Sequence, residues 1–198
     1  TLLDAFFSLL LTFSLNAQTF EGGFFAGITA SQVDGDTYSG YNKLGFSAGG
    51  YLSNPLGRNT GWKAELRFTQ KGAFKKNTEQ DNTLYRLTIY YVEIPLLFQY
   101  FVNDRVILDA GLAPDVYLTH REENEFGELN QENRPDYHRF GLNAMAGAYY
   151  AITENLIAGA RFSYSAIPMR DHASGATYYL NRGQYNNNLY FTFYYHFD

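Results

Sequence analysis

YYVEIPLLFQY, residues 90–100, alternates strictly: Val92, Ile94, Leu96, Phe98 and Tyr100 share one side, and Glu93, Pro95, Leu97 and Gln99 share the other. A period of two marks a strand with one apolar face. The same pattern returns along the chain in segments of about ten residues, the length a tilted strand needs to cross a bilayer. Strands are expected over 20–30, 44–53, 62–74, 85–101, 105–119, 137–152, 156–166 and 185–197. The fold class that follows is all-β, an eight-stranded antiparallel up-and-down transmembrane β-barrel.

Composition fits that class. The 198 residues are one domain's worth of chain, rich in Gly (18), Tyr (18) and Phe (17) and holding only 5 Pro. Mean hydropathy is negative and no run of 18 apolar residues exists, which excludes a helical membrane protein but not a barrel, half of whose strand residues are polar. Cys is absent, so disulfides, zinc–thiolate sites and Cys nucleophiles are excluded together. A net charge of -5 gives no footprint for nucleic acid. Phe6 to Leu15 is an apolar stretch of signal-peptide length, and Ala17 is a small residue at a suitable cleavage point. Residues 1–17 are therefore expected to be a signal peptide and 18–198 the barrel.

Connection lengths and parity orient the strands. Asn54 to Gly61, Val102 to Asp104 and Thr153 to Asn155 are short, whereas 31–43, 75–84, 120–136 and 167–184 are long and polar. Short turns belong on the periplasmic side, and an even strand count returns both termini there. In 62–74, Trp62, Ala64, Leu66 and Phe68 oppose Lys63, Glu65, Arg67 and Lys71. Alternation alone does not orient the faces, since a soluble lipocalin-like barrel would put the apolar face inside; in a membrane a Lys or Arg facing lipid costs roughly 2–4 kcal/mol at mid-bilayer, so there the charged face must point inward. The expected interior ionic network is Glu21, Lys63, Glu65, Arg67, Lys71, Glu93, Arg105, Asp109, Asp115, Arg139 and Arg161, a nearly balanced set whose pairing makes burial tolerable. Trp62, Tyr100, Tyr150 and Phe197 fall on the outer face beside turns or the C-terminus and are expected to form an aromatic girdle. Leu87 and Ile89 share the Glu93 face, so a β-bulge is expected near Tyr90 or Tyr91.

Three motifs in order carry a family resemblance. YYVEIPLLFQY (90–100), LRFTQKGA (66–73) and GLNAMAGAYYAITENLIAGARFSYS (141–165) resemble the PorT-like outer-membrane barrels of Bacteroidota, from about Phe20 to Phe197. The resemblance implies an eight-stranded integral outer-membrane protein and, through the founding member, a link to protein secretion; it does not imply one activity.

Chemistry-bearing residues are sparse. His120, His138, His172 and His196 lie at no ligand spacing, so neither a metal site nor a cofactor is expected. Ser163, Ser165, Asp171 and His172 supply hydrolase residue types near the outer mouth but no GxSxG elbow, and catalysis is not expected. Functional surface is then expected in the loops. Residues 120–136 carry five Glu, one Asp and two Arg; 167–184 hold Met169, Arg170, Tyr178, Tyr179 and Arg182, closer to the composition of a partner-binding patch. Expected partners are outer-membrane lipid, lipopolysaccharide and other proteins of an outer-membrane complex, and not nucleic acid. The function expected is a non-enzymatic structural or accessory subunit of a secretion or biogenesis machine; the alternative is a free-standing surface barrel whose loops bind a ligand, lipopolysaccharide or host factor.

Overall fold

The computed structural model describes residues 20–35, 40–76, 84–129, 135–171 and 183–197. The strands are β1 (Glu21–Asp34), β2 (Lys43–Pro55), β3 (Thr60–Lys75), β4 (Tyr85–Glu93), β5 (Leu96–Phe101), β6 (Val106–Asn124), β7 (Gly127–Glu128), β8 (Phe140–Ala151), β9 (Leu156–Ser165) and β10 (Tyr185–His196). All pairings are antiparallel. The path β2-β1-β10-β9-β8-β6-β4-β3 closes on itself because β2 also pairs with β3. β4 and β5 are two halves of one crossing, since both pair with β3 and with β6. Pro95 interrupts the ladder because it has no N–H, yet its carbonyl still accepts from Glu65 N at 3.0 Å. β7 is a short return pairing with the tip of β6. The wall is thus an eight-stranded closed barrel without a free edge in its lower part.

Three tight turns lie at one end, the end that also holds Phe20 and Phe197. In each the first residue after the strand bonds across the turn: Leu56 N to Thr60 O, Val102 N to Val106 O and Ile152 N to Leu156 O, at 2.8 to 2.9 Å. Asn103 Oδ1 accepts from Arg105 N and Val106 N, the short-range capping for which Asn is favoured in turns.

Faces follow parity. Phe24, Ile28, Leu66, Leu96, Phe98, Leu112, Phe191 and Phe193 are exposed on the outer surface, while Lys63, Glu65, Arg67, Lys71, Glu93 and Arg161 are buried within. From Phe197 to Leu189 is eight residue steps; at about 3.3 Å each and a tilt of about 40°, that is roughly 20 Å of height, close to the roughly 25 Å apolar band of a transmembrane barrel.

The opposite end differs from expectation in three ways. First, β1 reaches Asp34 and β6 reaches Asn124, and Glu123–Asn124 pair with β7, so 120–128 are ladder and hairpin, not the start of a 120–136 loop. Their polar composition conceals a strand because the outer side meets water at this height. Second, the ladder slips at Tyr90/Tyr91, but the extra residue is Leu118 on β6: Tyr90 pairs with Thr119 and Tyr91 with Tyr117. The bulge is therefore near the expected position but in the neighbouring strand. β4 keeps its parity throughout; Leu87, Ile89, Tyr91 and Glu93 all point inward and are 0–2% exposed. Third, β8 starts at Phe140 and not at 137. Gly72, at φ 144, adopts a backbone that other residues avoid, and a Cβ there would meet Leu87 O at 2.0 Å; glycine lets β3 pass this close to β4.

Candidate functional site

The lumen is filled in tiers, and β3 supplies the inward spine. At the turn end a vestibule of about 220 Å³ is lined by Tyr51, Gln99, Ile107, Tyr149, Tyr194 and His196, with Lys63 at its floor. Lys63 Nζ stands 4.6 Å and 4.5 Å from the Tyr149 and Tyr194 ring centroids, a cation–π cage.

Above it sits the first ionic cluster. Arg161 donates from Nη1 to Glu65 Oε2 at 2.8 Å and from Nη2 to Glu65 Oε1 at 2.9 Å and Asp109 Oδ2 at 2.7 Å. Arg67 Nη2 donates to Glu65 Oε2 at 2.8 Å and to Tyr194 Oη at 3.0 Å, and Tyr194 in turn donates to Glu65 Oε1 at 3.0 Å. Lys63 pairs with Asp109 at 3.2 Å and with Glu65 at 3.4 Å. Gly147 makes room for this, since a Cβ there would meet Asp109 Oδ1 at 2.8 Å.

A second cluster lies higher. Lys71 Nζ is 2.5 Å from Glu93 Oε1 and 4.0 Å from Asp115 Oδ2. Tyr190 donates to Glu93, and Asn143 Nδ2 donates to Asp115 Oδ2 at 2.7 Å. Three cations face two carboxylates below and one faces two above, so the eight buried groups are neutral together although neither cluster is alone. Buried ions survive only when they are paired, and each of the eight has an oppositely charged group in its cluster, although among the described residues Lys71 Nζ, Asp109 Oδ1 and Arg161 Nε make no hydrogen bond. Thr69 Oγ1, Ser163 Oγ and both side-chain polar atoms of Asn188 are buried without a hydrogen-bond partner in the wall around these clusters, the setting in which barrels keep ordered water.

A third tier is apolar. Val33, Ala73, Tyr85, Leu87, Ile89, Tyr91 and Met169 form one buried cluster. Arg170 covers it, pairing with Glu122 at 3.3 Å and stacking 4.7 Å over Tyr137, while Tyr85 donates to Glu122 at 2.5 Å. Burial pushes the Tyr137 phenol above its ordinary range. The polypeptide is pinned across the mouth by His138 N to Met169 O at 2.7 Å and the Arg170–Gln184 bridge.

The structure thus brings together eight of the eleven residues expected inside: Lys63, Glu65, Arg67, Lys71, Glu93, Asp109, Asp115 and Arg161. Glu21, Arg105 and Arg139 do not join them. All three are exposed at strand ends, where water solvates a charge without a partner; Arg105 instead donates to Tyr150 Oη at 3.2 Å. Tyr100, Tyr150 and Phe197 stand exposed on the outer face at the turn end, and Trp62 packs edge-on against Phe20 at 6.0 Å. Met169 and Arg170, expected in a partner-binding loop, are each 5% exposed and belong to the cap, because their side chains complete the apolar tier. Tyr178, Tyr179, Arg182 and His172 lie outside the described residues, as do residues 1–17. Ser165 bonds Asn143 Oδ1 inside the wall, Ser163 is buried, and Asp171 is exposed at the rim.

Sequence reasoning missed the cap residue Glu122, hidden in an acidic run, and a second aromatic row. Phe46, Phe68 and Tyr90 stack across three neighbouring strands at 5.8 Å and 5.9 Å, toward the loop end of the outer face. Period-two alternation in β2, β3 and β4 contains that row, but only the register aligns it.

The profile of a family described as outer membrane protein beta-barrel domain matches residues 16–169. Among solved structures, the chain is similar to Neisserial surface protein A, at 14% identity over 90% of this chain and 97% of that one, with a TM-score of 0.52. It is also similar to Ail of Yersinia pestis, seen in a phospholipid bilayer nanodisc, at 17% identity over 89% and 99%, with a TM-score of 0.50. At these identities the likeness concerns the fold alone. Curated proteins include no significant sequence match.

Proposed function

Because this chain belongs to the outer membrane protein beta-barrel domain family, we propose that it is a non-enzymatic outer-membrane barrel that works through its surfaces, as a structural or accessory subunit of a protein secretion or biogenesis complex. Its motifs resemble PorT-like barrels of Bacteroidota. Both termini and the three tight turns face the periplasm, since short turns are periplasmic in this architecture.

The observation that carries this reading is the filled lumen. Two ionic clusters and an apolar cap occupy the interior in succession, and an eight-stranded barrel has no width left for a solute beside them. That supports recognition at the rim or the wall over transport through the centre. The alternative, a free-standing surface barrel, draws support from the strands that continue past the apolar band and present a rigid platform at the loop end.

Extraction of native membranes in mild detergent tests the reading. A stoichiometric complex with other outer-membrane proteins is expected; recovery of the lone barrel would favour the alternative. Orientation is checked by labelling cysteines placed at Phe126, which is 89% exposed, and at Thr153 on intact cells. Phe126→Cys should react from outside and Thr153→Cys only after the outer membrane is opened.

A further inference from the structure

The β2–β3 ladder stops at Ser47↔Thr69, whereas β3, β4 and β6 run on together to Lys75, Tyr85 and Asn124. Asn42, Lys43 and Leu44, at the start of β2, therefore look onto the outer side of that extension across a groove of about 790 Å³. The extension contributes Gln70, Phe74, Arg86, Thr88, Tyr90 and Arg121. The groove opens next to the Phe46–Phe68–Tyr90 row, and Gln70 Nε2 ties the two together by donating to Tyr90 Oη at 2.9 Å. Aromatic rows of this kind mark the depth at which hydrocarbon gives way to headgroups.

Charge in the groove is uneven. Lys43, Arg86 and Arg121 face Glu123 and Glu128, three cations against two carboxylates. Arg121 takes both acids, Glu123 at 2.9 Å and Glu128 at 3.9 Å. Glu123 is also the cross-strand neighbour of Arg86, and it is engaged. Among the described residues, Arg86 packs on the Phe74 ring, 5.3 Å from its guanidinium carbon, and Lys43 Nζ donates to the Leu44 carbonyl at 3.3 Å. Burial first and Arg86 second depress the Lys43 ammonium, and Glu123 opposes them in part, so the two cations and that one carboxylate share a field. With Glu123 and Glu128 both drawn to Arg121, the groove keeps one cation in excess, and an anion at Lys43 and Arg86 would balance it.

The geometry points to this groove as the seat of a phosphorylated sugar headgroup of an outer-leaflet glycolipid, its phosphate held between Lys43 and Arg86. Arg presents paired donors that fit phosphate oxygens, and Lys adds a point charge. Thr88, Thr119 and Asn42 line the same groove and suit sugar hydroxyls. The acyl chains would run down over Leu44, Phe46 and Phe68, all on the outer face. That continuity selects a lipid over a soluble polyanion, for which the apolar surface below has no use. The inference rests on the loop end facing the outer leaflet.

Native mass spectrometry of the full chain in mild detergent tests it with three probes: lipid A carrying two phosphates, the same lipid A dephosphorylated, and inorganic tripolyphosphate. The wild type should prefer phosphorylated over dephosphorylated lipid A by about 10-fold and bind tripolyphosphate weakly. The double variant K43Q/R86Q should bind both lipids equally while keeping heat-modifiable gel migration. If the double variant fails to fold, K43Q and R86Q singly should each lower the preference. Equal binding of the two lipids by wild type, an undiminished preference in the variants, or tripolyphosphate binding as tightly as lipid overturns the inference. Outside labelling of Phe126→Cys combined with any of those results overturns the groove alone; labelling of Phe126→Cys only from the periplasm overturns the groove and the orientation together.

Discussion

Inside the apolar band, β3 turns Lys63, Glu65 and Arg67 inward and Leu66 and Phe68 outward; a few residues higher, β4 turns Leu87 and Ile89 inward and Arg86 and Thr88 outward. The wall is continuous, yet its polarity inverts. The reason is the solvent. In lipid the outer face must be apolar and charge can be kept only in a paired lumen, whereas above lipid the outer face meets water and the hydrophobic effect again favours an apolar interior. The inversion lies near Tyr90 and Tyr91, where the ladder also slips at Leu118. A bulge lets β6 change which parity faces inward, from Asp109, Ala113 and Asp115 below to Glu122 above. One chain thus contains a membrane barrel and, stacked on it, a water-facing extension of its strands packed around an ordinary apolar core.

Breaking the lower half should cost most. Glu65→Ala removes the acceptor shared by Arg161, Arg67, Lys63 and Tyr194 and leaves three buried cations facing Asp109 alone. Orphaning buried charge in this way costs about 3–5 kcal/mol. The expected outcome is loss of the heat-resistant folded band or a large drop in urea midpoint in liposomes. A wild-type midpoint would mean that water reaches the cluster and the lumen is not sealed.

Breaking the upper core should act locally. Leu87→Ala takes a fully buried side chain from the cap, at roughly 3 kcal/mol. Because the ionic tiers below are untouched, hydrogen exchange should accelerate over 85–91 and 120–124 and stay slow in the lower strands. Acceleration throughout would show that cap and barrel unfold as one unit.

The boundary itself is tested by placing one charge on either side of it. Leu66→Lys faces lipid and should cost about 2–4 kcal/mol; Thr88→Lys faces outward above the band and should fall within about 0.5 kcal/mol of wild type. Urea titration in the same bilayer measures both. Similar costs at the two positions would erase the proposed height of the membrane surface.

These two halves were unequally readable. The lower one obeys alternation so plainly that Lys63, Glu65, Arg67, Lys71 and Arg161 could be assigned to the lumen from parity and the cost of charge in lipid. Glu21, Arg105 and Arg139 have the same parity logic but sit at strand ends, and period-two patterning carries no information about depth. In the upper half the rule that apolar means lipid-facing fails, and Leu87 and Ile89 therefore looked like a fault in β4. The conflict was real information about solvent, read as a defect in register. The polar stretch 120–124 resembled a loop for the same reason, because a strand with water outside need carry only one inward anchor, here Glu122.

That anchor gives the smallest and most local test. Arg170 holds the chain across the mouth through Glu122 at 3.3 Å and the Tyr137 ring, with Gln184 accepting from its Nε at 2.6 Å. Arg170→Ala removes all three contacts but leaves Glu122 bonded to Tyr85, so the remaining carboxylate is not orphaned. A cost of about 1–2 kcal/mol is expected, near that of one charge-assisted hydrogen bond. That cost falls on local opening of the cap and not on unfolding of the barrel, so the urea midpoint should barely move while proteolysis between 167 and 184 speeds up and the barrel fragment survives. If cleavage there is unchanged, the Met169 backbone bonds and the Arg170–Gln184 bridge suffice to close the mouth, and the cap is held by main chain and not by its ion pair.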